Sequence, residues 1–333
     1  MTPIQNIAVI GAGAWGTALA NVACMAGRKV TLWAREPGLA ESLNQDHVNA
    51  PYLPGVPLSE SLRATADLHA AVAGAQAVLL VVPAQFLGGV CADLAPYWPA
   101  GAPAVICAKG IEQGTGRLME AVVGAPLAGI APVLVLSGPT FAAEVARGLP
   151  TAVTLAGADG EITAALRDAL MLPTFRIYQS DDVTGAEVAG AIKNVLAIAC
   201  GIVTGKGLGD NARAALITRG LVEITRLGVA LGARPETFMG LSGLGDLTLT
   251  CNAMQSRNFS LGVALGEGQS LADILAGRTA VTEGVYTAAA ATDLARKLGV
   301  EMPICRAVDG VLNHHADLEA TIRGLLSRPP GSE

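Results

Sequence analysis

The chain has 333 residues, which is long enough for two domains. With 51% hydrophobic and 15% charged residues it can bury a large core, which excludes a disordered chain; aromatics at 4% leave the packing to small aliphatic side chains. A net charge of -6 without any basic block excludes a nucleic-acid partner, yet a few placed cations could still hold one small anion.

The chain opens on an apolar run with no charge before Arg28, interrupted by Gly11, Gly13 and Gly16, so no signal peptide is expected. Residues 70–92 also lack charge, but Gln76, Pro83 and Gln85 divide them into a strand and a helix, and no membrane span is expected. Strands are expected over 7–10, 29–33, 77–82, 104–107, 133–136 and 151–155. Their apolar character, without polar alternation, points to strands covered on both faces, as in parallel sheets. Helices over 14–26 and 84–94 supply crossovers, so the first part reads as a doubly wound α/β domain. Beyond about residue 185 helices take over, at 187–203, 211–231, 282–298 and 306–313, and a loose tail is expected over 328–333. The boundary is placed near 188, giving domains 1–188 and 189–333. The cysteines Cys24, Cys91, Cys107, Cys200, Cys251 and Cys305 form no CxxC pair, so buried thiols in a reducing cytoplasm are expected.

Gly11-Ala12-Gly13-Ala14-Trp15-Gly16 follows the first strand and opens the first helix. In that setting Gly11 allows the tight turn, Gly13 the approach of a pyrophosphate, and Gly16 close packing of helix on strand. The helix N-terminus adds amides and a positive dipole end, so a nicotinamide dinucleotide is expected there. The second strand ends in Trp33-Ala34-Arg35-Glu36; Arg35 suits the extra phosphate of NADP, or is plain surface charge. Phe86 either walls the cofactor or is ordinary core.

Ketone reduction needs a proton donor at the carbonyl oxygen and charge to stabilise the alkoxide. The histidines, His47, His69, His314 and His315, lie outside any polar cluster and read as solvated. Lysine is the alternative donor. Lys109 ends a strand at the carboxyl edge where ligands bind, and Lys193 lies inside an apolar helix, where it either faces a cleft or snorkels to the surface. The run from Gly243-Leu244-Gly245-Asp246 through Thr250 to Ser256-Arg257-Asn258 suits a hydroxylated phosphate with Arg257 as a clamp, or is a polar loop with a helix cap at Ser256.

Together these motifs resemble the bacterial NAD(P)-dependent glycerol-3-phosphate dehydrogenases, from GAGAWGTALA through VVPAQF, AKGIE, SGPTFAAEVARGLPT, GAIKNVLAIACG, NARAALITRG, FMGLSGLGDLTLTC, SRN and VTEG to GVEMPI. The resemblance covers essentially the whole chain. It implies a Rossmann-type sheet followed by an all-α substrate domain of the 6-phosphogluconate dehydrogenase C-terminal-like kind. It also implies reversible reduction of dihydroxyacetone phosphate to sn-glycerol 3-phosphate with NADPH or NADH, no metal, glycerophospholipid supply, and a cytoplasmic homodimer.

By the same resemblance Lys193 is the acid/base, and Lys109 touches cofactor and substrate. Gly138, Thr140, Asn194, Asp246, Thr250, Ser256, Arg257 and Asn258 match substrate contacts. Ala14, Trp15, Arg35, Ala142, Arg257, Val281 and Glu283 match cofactor contacts. Relatives often carry Ser in place of Ala14, a change that a backbone amide contact survives. Two-domain β-hydroxyacid dehydrogenases are similar in their Lys-Asn pair but lack the GLGDL and SRN combination.

Overall fold

The computed structural model describes residues 3–278 and 281–329, so residues 330–333 of the expected tail lie outside it. The chain divides into two compact units: Met1–Lys109 with Leu118–Glu187, and Gly110–Arg117 with Val188–Glu333. The short excursion of residues 110–117 into the second unit has no marker in the sequence.

The first unit opens with β1 (Asn6–Ile10), α1 (Ala14–Met25), β2 (Lys29–Trp33), α2 (Pro37–Asp46), the hairpin strands β3 (Val48–Asn49) and β4 (Leu53–Pro57), β5 (Arg63–Thr65) and α3 (Leu68–Val72). It continues with β6 (Ala77–Leu80), α4 (Ala84–Leu94), β7 (Ala104–Ile106), α5 (Met119–Gly124), β8 (Val133–Ser137), α6 (Ala142–Ala146), β9 (Thr151–Ala156), α7 (Gly160–Leu170) and β10 (Phe175–Ser180). Eight of these strands form one sheet in the order β10-β9-β8-β7-β6-β1-β2-β5.

Alternate residues of each central strand feed opposite cores. Ile7, Val9, Leu79 and Val105 join one cluster, whereas Ala8, Ile10, Leu80 and Ile106 join another. The period of two along a strand thus buries both faces, which is why these strands are apolar throughout. The sheet is nevertheless mixed, because β9 pairs antiparallel with β8. Apolar continuity registers burial and carries no information on strand direction, so the doubly wound sheet expected from the sequence holds with one antiparallel pairing that the sequence does not mark.

Helix α8 (Val183–Gly205) starts in the first unit and runs into the second. It starts four residues earlier than expected because the Asp182 carboxylate accepts from the Gly185 N–H at 2.9 Å, a cap just before the first turn. It is long and apolar enough to cross a membrane, but 89% of its most apolar window is buried inside the protein, as in a core helix.

The second unit continues with α9 (Asp210–Ala230), α10 (Asp246–Cys251), α11 (Arg257–Gly266), α12 (Leu271–Ala276), α13 (Glu283–Lys297), α14 (Pro303–Asn313) and α15 (Leu318–Leu326). α8 and α11 cross backbone to backbone. A Cβ on Gly201 would stand 2.1 Å from the Phe259 carbonyl oxygen, and one on Gly262 2.1 Å from that of Ile198. Gly205 and Gly266 repeat the arrangement one turn on, against the Val263 and Ile202 carbonyls. Glu223 of α9, 2% exposed, accepts from the N–H groups of Ile304 at 2.7 Å and Cys305 at 3.1 Å, so it satisfies the first turn of α14.

Candidate active site

In the first unit the glycine loop joins β1 to α1. Gly11 has φ +119°, and a Cβ there would lie 3.0 Å from backbone atoms of Val81 and Val82. On Gly16 a Cβ would fall 1.8 Å from the Gly11 carbonyl oxygen, so that position admits no side chain. Around Gly13, by contrast, nothing lies within 4 Å of a built Cβ. Gly13 caps the twelve-residue α1 without a side-chain bond, and no acidic residue stands in the first turn. The helix thus offers its N-terminal amides and dipole beside open space, which fits the pyrophosphate of a dinucleotide. Ala14 and Trp15, half-buried, flank this opening.

Arg35 stands just beyond β2, its side chain 78% exposed and paired with Glu36 at 2.7 Å. Phe86 on α4 is 59% exposed, which removes the ordinary-core reading. At the carboxyl ends of β7 and β8, the Lys109 Nζ and Thr140 Oγ1 both donate to the Gly138 carbonyl at 3.2 Å. Gly138 has φ +152°, with a built Cβ 2.9 Å from the Cα of Val153, so only glycine fits. Ala142 opens α6 just beyond.

In the second unit Lys193 is 6% exposed, which removes the snorkelling reading. Its Nζ donates to Asp246 Oδ1 at 2.6 Å and to Thr250 Oγ1 at 2.8 Å. Asp246 and Thr250 share a face of α10 one turn apart, and the Thr250 hydroxyl also donates to Asp246 Oδ1 at 3.3 Å. A π-turn over Leu241–Gly245 leads into α10, closed by the Gly245 N–H on the Gly240 carbonyl at 3.1 Å. A Cβ on Gly243 would stand 2.1 Å from the Phe238 carbonyl oxygen, so the glycine of the GLGD run serves this tight passage.

Beside Lys193, the Asn194 Oδ1 accepts from Asn258 Nδ2 at 2.9 Å, and the Asn258 Oδ1 accepts from the Gly284 N–H at 3.0 Å. Ser256 caps α11, its hydroxyl accepting from the Phe259 N–H at 3.2 Å. Arg257 opens α11; part of its surface meets solvent, but surrounding protein desolvates the guanidinium and pulls it below its ordinary value, a shift that the Glu283 carboxylate opposes. Val281 is half-buried just before α13, and Glu283 is the first residue of that helix.

The histidines correct an expectation in part. His314 and His315 are exposed, but His47 is half-buried with Nδ1 out of reach of solvent and partners, and His69 stacks on Tyr97 with ring centroids 3.9 Å apart. Sequence reasoning missed several buried carboxyls, Glu223 and Glu187 among them. Glu187 accepts from the Glu120 N–H at 2.7 Å, and burial pushes its carboxyl up to about 8. All six cysteines are free and buried, and burial pushes the Cys91 thiol up to about 12. Among the described residues no group of three or more His, Cys, Asp or Glu side chains could hold a metal ion.

The doubly wound sheet with its glycine loop is that of dinucleotide-binding enzymes. Residues 6–163 match the family described as NAD-dependent glycerol-3-phosphate dehydrogenase N-terminus, and residues 182–323 match the corresponding C-terminus. A glycerol-3-phosphate dehydrogenase (NAD(P)+) of Rhodospirillum rubrum is 61% identical over 326 residues, covering 98% of this chain and 93% of that protein. One of Parvibaculum lavamentivorans is 57% identical over 329 residues, covering 99% and 98%. The crystal structure of glycerol-3-phosphate dehydrogenase from Coxiella burnetii superposes with a TM-score of 0.93 at 42% identity, covering 98% of this chain and 99% of that one. The chain belongs to the NAD-dependent glycerol-3-phosphate dehydrogenase family.

Proposed function

We propose that this chain reduces dihydroxyacetone phosphate to sn-glycerol 3-phosphate, reversibly, with NADPH or NADH, and so supplies glycerophospholipid synthesis. Residues 1–188 carry the dinucleotide role and residues 189–333 the substrate role. One observation carries the reading: a lysine ammonium held in the protein interior by Asp246 at 2.6 Å and Thr250 at 2.8 Å. A buried charge with such specific partners marks a functional site more often than a structural one.

When bound, the nicotinamide supplies the hydride. Gly11, Gly13, Ala14, Trp15 and Gly16 present the N-terminal amides of α1 to its pyrophosphate, and Arg35 meets the ribose phosphate of NADP. The Lys193 Nζ gives its proton to the ketone oxygen as the alkoxide forms, and in the reverse direction takes it from the alcohol. Asp246 and Thr250 fix the amine's position by accepting two of its hydrogens, so little reorganisation accompanies the transfer. Arg257, exposed at the first turn of α11, offers two parallel N–H donors to the substrate phosphate, where the helix dipole adds to its charge.

A steady-state assay with dihydroxyacetone phosphate and each cofactor tests the reading. Lys193→Ala is expected to lower kcat by about 10²–10⁴-fold, the range for general acids, while dinucleotide binding is kept. An inert wild type, or a variant with near-normal turnover, overturns it. Cytoplasmic residence and a homodimer belong to the same proposal. The family resemblance supports both, and the six free thiols suit a reducing compartment. Light scattering on the purified chain tests the dimer.

A further inference from the structure

Asn49 stands in the run Val48-Asn49-Ala50-Pro51-Tyr52, where an asparagine shortly before a proline suits a turn. It does close the turn of the β3–β4 hairpin, its Oδ1 accepting from the Tyr52 N–H at 3.2 Å. A backbone N–H can only donate, so this bond fixes which end of the amide is oxygen, and the NH2 group faces the other way. There it meets two acceptors, the Ala12 carbonyl at 2.9 Å and the Thr17 hydroxyl at 2.8 Å. Both hydrogens of the NH2 group are thereby spent, and Asn49 is 0% exposed. The Thr17 hydroxyl passes its own hydrogen to the same Ala12 carbonyl at 3.4 Å.

Ala12 lies between the first two glycines of the loop, and its carbonyl shares a peptide with the Gly13 N–H. That peptide is planar and trans, so the two groups point in opposite directions. Holding the oxygen inward therefore turns the Gly13 N–H away from the buried hairpin. Gly13 is half-buried, and among the described residues no acceptor takes its N–H.

The backbone alone does not select this orientation. Gly13 has φ −68°, and a half-turn of the peptide would carry it to roughly +110°, which glycine accepts and other residues resist. The position that needs glycine for room is thus the one that leaves the peptide free to turn. After such a turn the Ala12 oxygen, with its partial negative charge, would confront an anion that the loop is meant to attract. A side chain must choose between the two faces.

We propose that Asn49 is a positioning residue for the dinucleotide: by clamping the Ala12 carbonyl it keeps the Gly13 N–H presented as a donor to the pyrophosphate. The proposal rests on the dinucleotide role assigned above to residues 1–188, and it adds a buried residue of the hairpin that acts only through the loop.

Asn49→Leu, similar in volume, removes both donors from the full-length chain. NADPH, NADH and ADP-ribose share the pyrophosphate, so their dissociation constants, measured by calorimetry, should rise by a common factor of about 10-fold or more, the scale of one charge-assisted hydrogen bond. The ADP-ribose value requires no turnover. With NADPH saturating, kcat and the KM for dihydroxyacetone phosphate should stay within about threefold of the wild type, as expected when uniform cofactor binding is what was lost.

Unchanged dissociation constants overturn the proposal. So does a fall in kcat in step with the thermal midpoint, which would mark a general loosening of the hairpin. A loss confined to NADPH also overturns it, tracing instead to Arg35, whose guanidinium lies in the field of Tyr52 on the same hairpin. If Asn49→Leu does not fold, Asn49→Ala takes its place, with the same expected and refuting results. A wild type that binds none of the three ligands removes the dinucleotide reading and the proposal with it, an outcome distinct from any difference between variant and wild type.

Discussion

Asp246→Leu isolates the energetics of the buried ion pair. The side chains of Lys193 and Asp246 are 8% and 0% exposed, so water neither screens the pair nor solvates what is left when one partner goes. Removing the carboxylate takes away the charged partner of a buried ammonium that still reaches the Thr250 hydroxyl, which costs about 3–5 kcal/mol for a buried pair broken on one side. With a urea m-value of about 2 kcal/mol per molar, the midpoint of the second unit should fall by roughly 2 M. The double variant Lys193→Met/Asp246→Leu, apolar on both sides, should recover to within about 1 kcal/mol of the wild type, because it removes the desolvation cost along with the attraction. Far-UV circular dichroism is the assay, since Trp15, Trp33 and Trp98 all lie in the first unit and their fluorescence reports on that unit. The reasoning fails if the single variant loses less than about 1 kcal/mol, or if the double is as unstable as the single, which would place the cost in packing.

Burial raises the Glu187 carboxyl from its ordinary 4.5 to about 8, so the folded chain holds a proton that the unfolded chain releases. The associated stabilisation is complete below about pH 4.5 and is lost as the pH rises through about 8; Glu187→Gln should flatten that slope in urea midpoints measured across the range. Gly16→Ala, with its Cβ 1.8 Å from a carbonyl oxygen, should unfold or displace α1. Gly13→Ala should fold within about 1 kcal/mol of the wild type yet lose NADPH affinity, because its Cβ enters space that only the ligand would fill; unchanged affinity in a titration would remove the pyrophosphate from that loop. Arg35→Gln should lower the preference for NADPH over NADH by about 10-fold or more, the scale of one lost charge-assisted bond, as read from kcat/KM with each cofactor.

The central sheet was legible because burial on both faces writes an unbroken apolar run, as in Ala77–Leu80. β10 escaped notice for the complementary reason. Phe175-Arg176-Ile177-Tyr178-Gln179-Ser180 lies at the sheet edge, buries only Phe175 and Ile177, and so alternates. β5 has three residues paired to β2 alone, too few for any pattern. Lys193 stood out because a charge in the middle of an apolar helix is conspicuous, and the same argument finds Asp246 only once its helix is known. Glu223 sits in sequence among other polar residues and looks like solvated surface, whereas Glu187 lies near the start of the apolar α8 and reads as its solvated first turn. Their burial comes from helix ends, α14 and α5, that arrive from elsewhere in the chain.

The glycines of the second unit show how far the chemistry depends on positions that carry none. Gly201 and Gly205 invite a comparison with phosphate loops, and Gly262 and Gly266 look like weak points in a helix. In the fold all four lie where α8 meets α11 closely enough for a carbonyl oxygen of one helix to occupy the place of a Cβ on the other. Asn194 is on α8 and Asn258 at the start of α11, so the separation of these two helices sets the 2.9 Å bond between the amides. One methyl group at Gly201 would push the helices apart by more than that bond can stretch, since a contact of 2.1 Å must open to more than 3 Å. The orientation of a side chain two helical turns away from Gly201 is therefore fixed by an absence of atoms, and that dependence is invisible until the two helices are seen together.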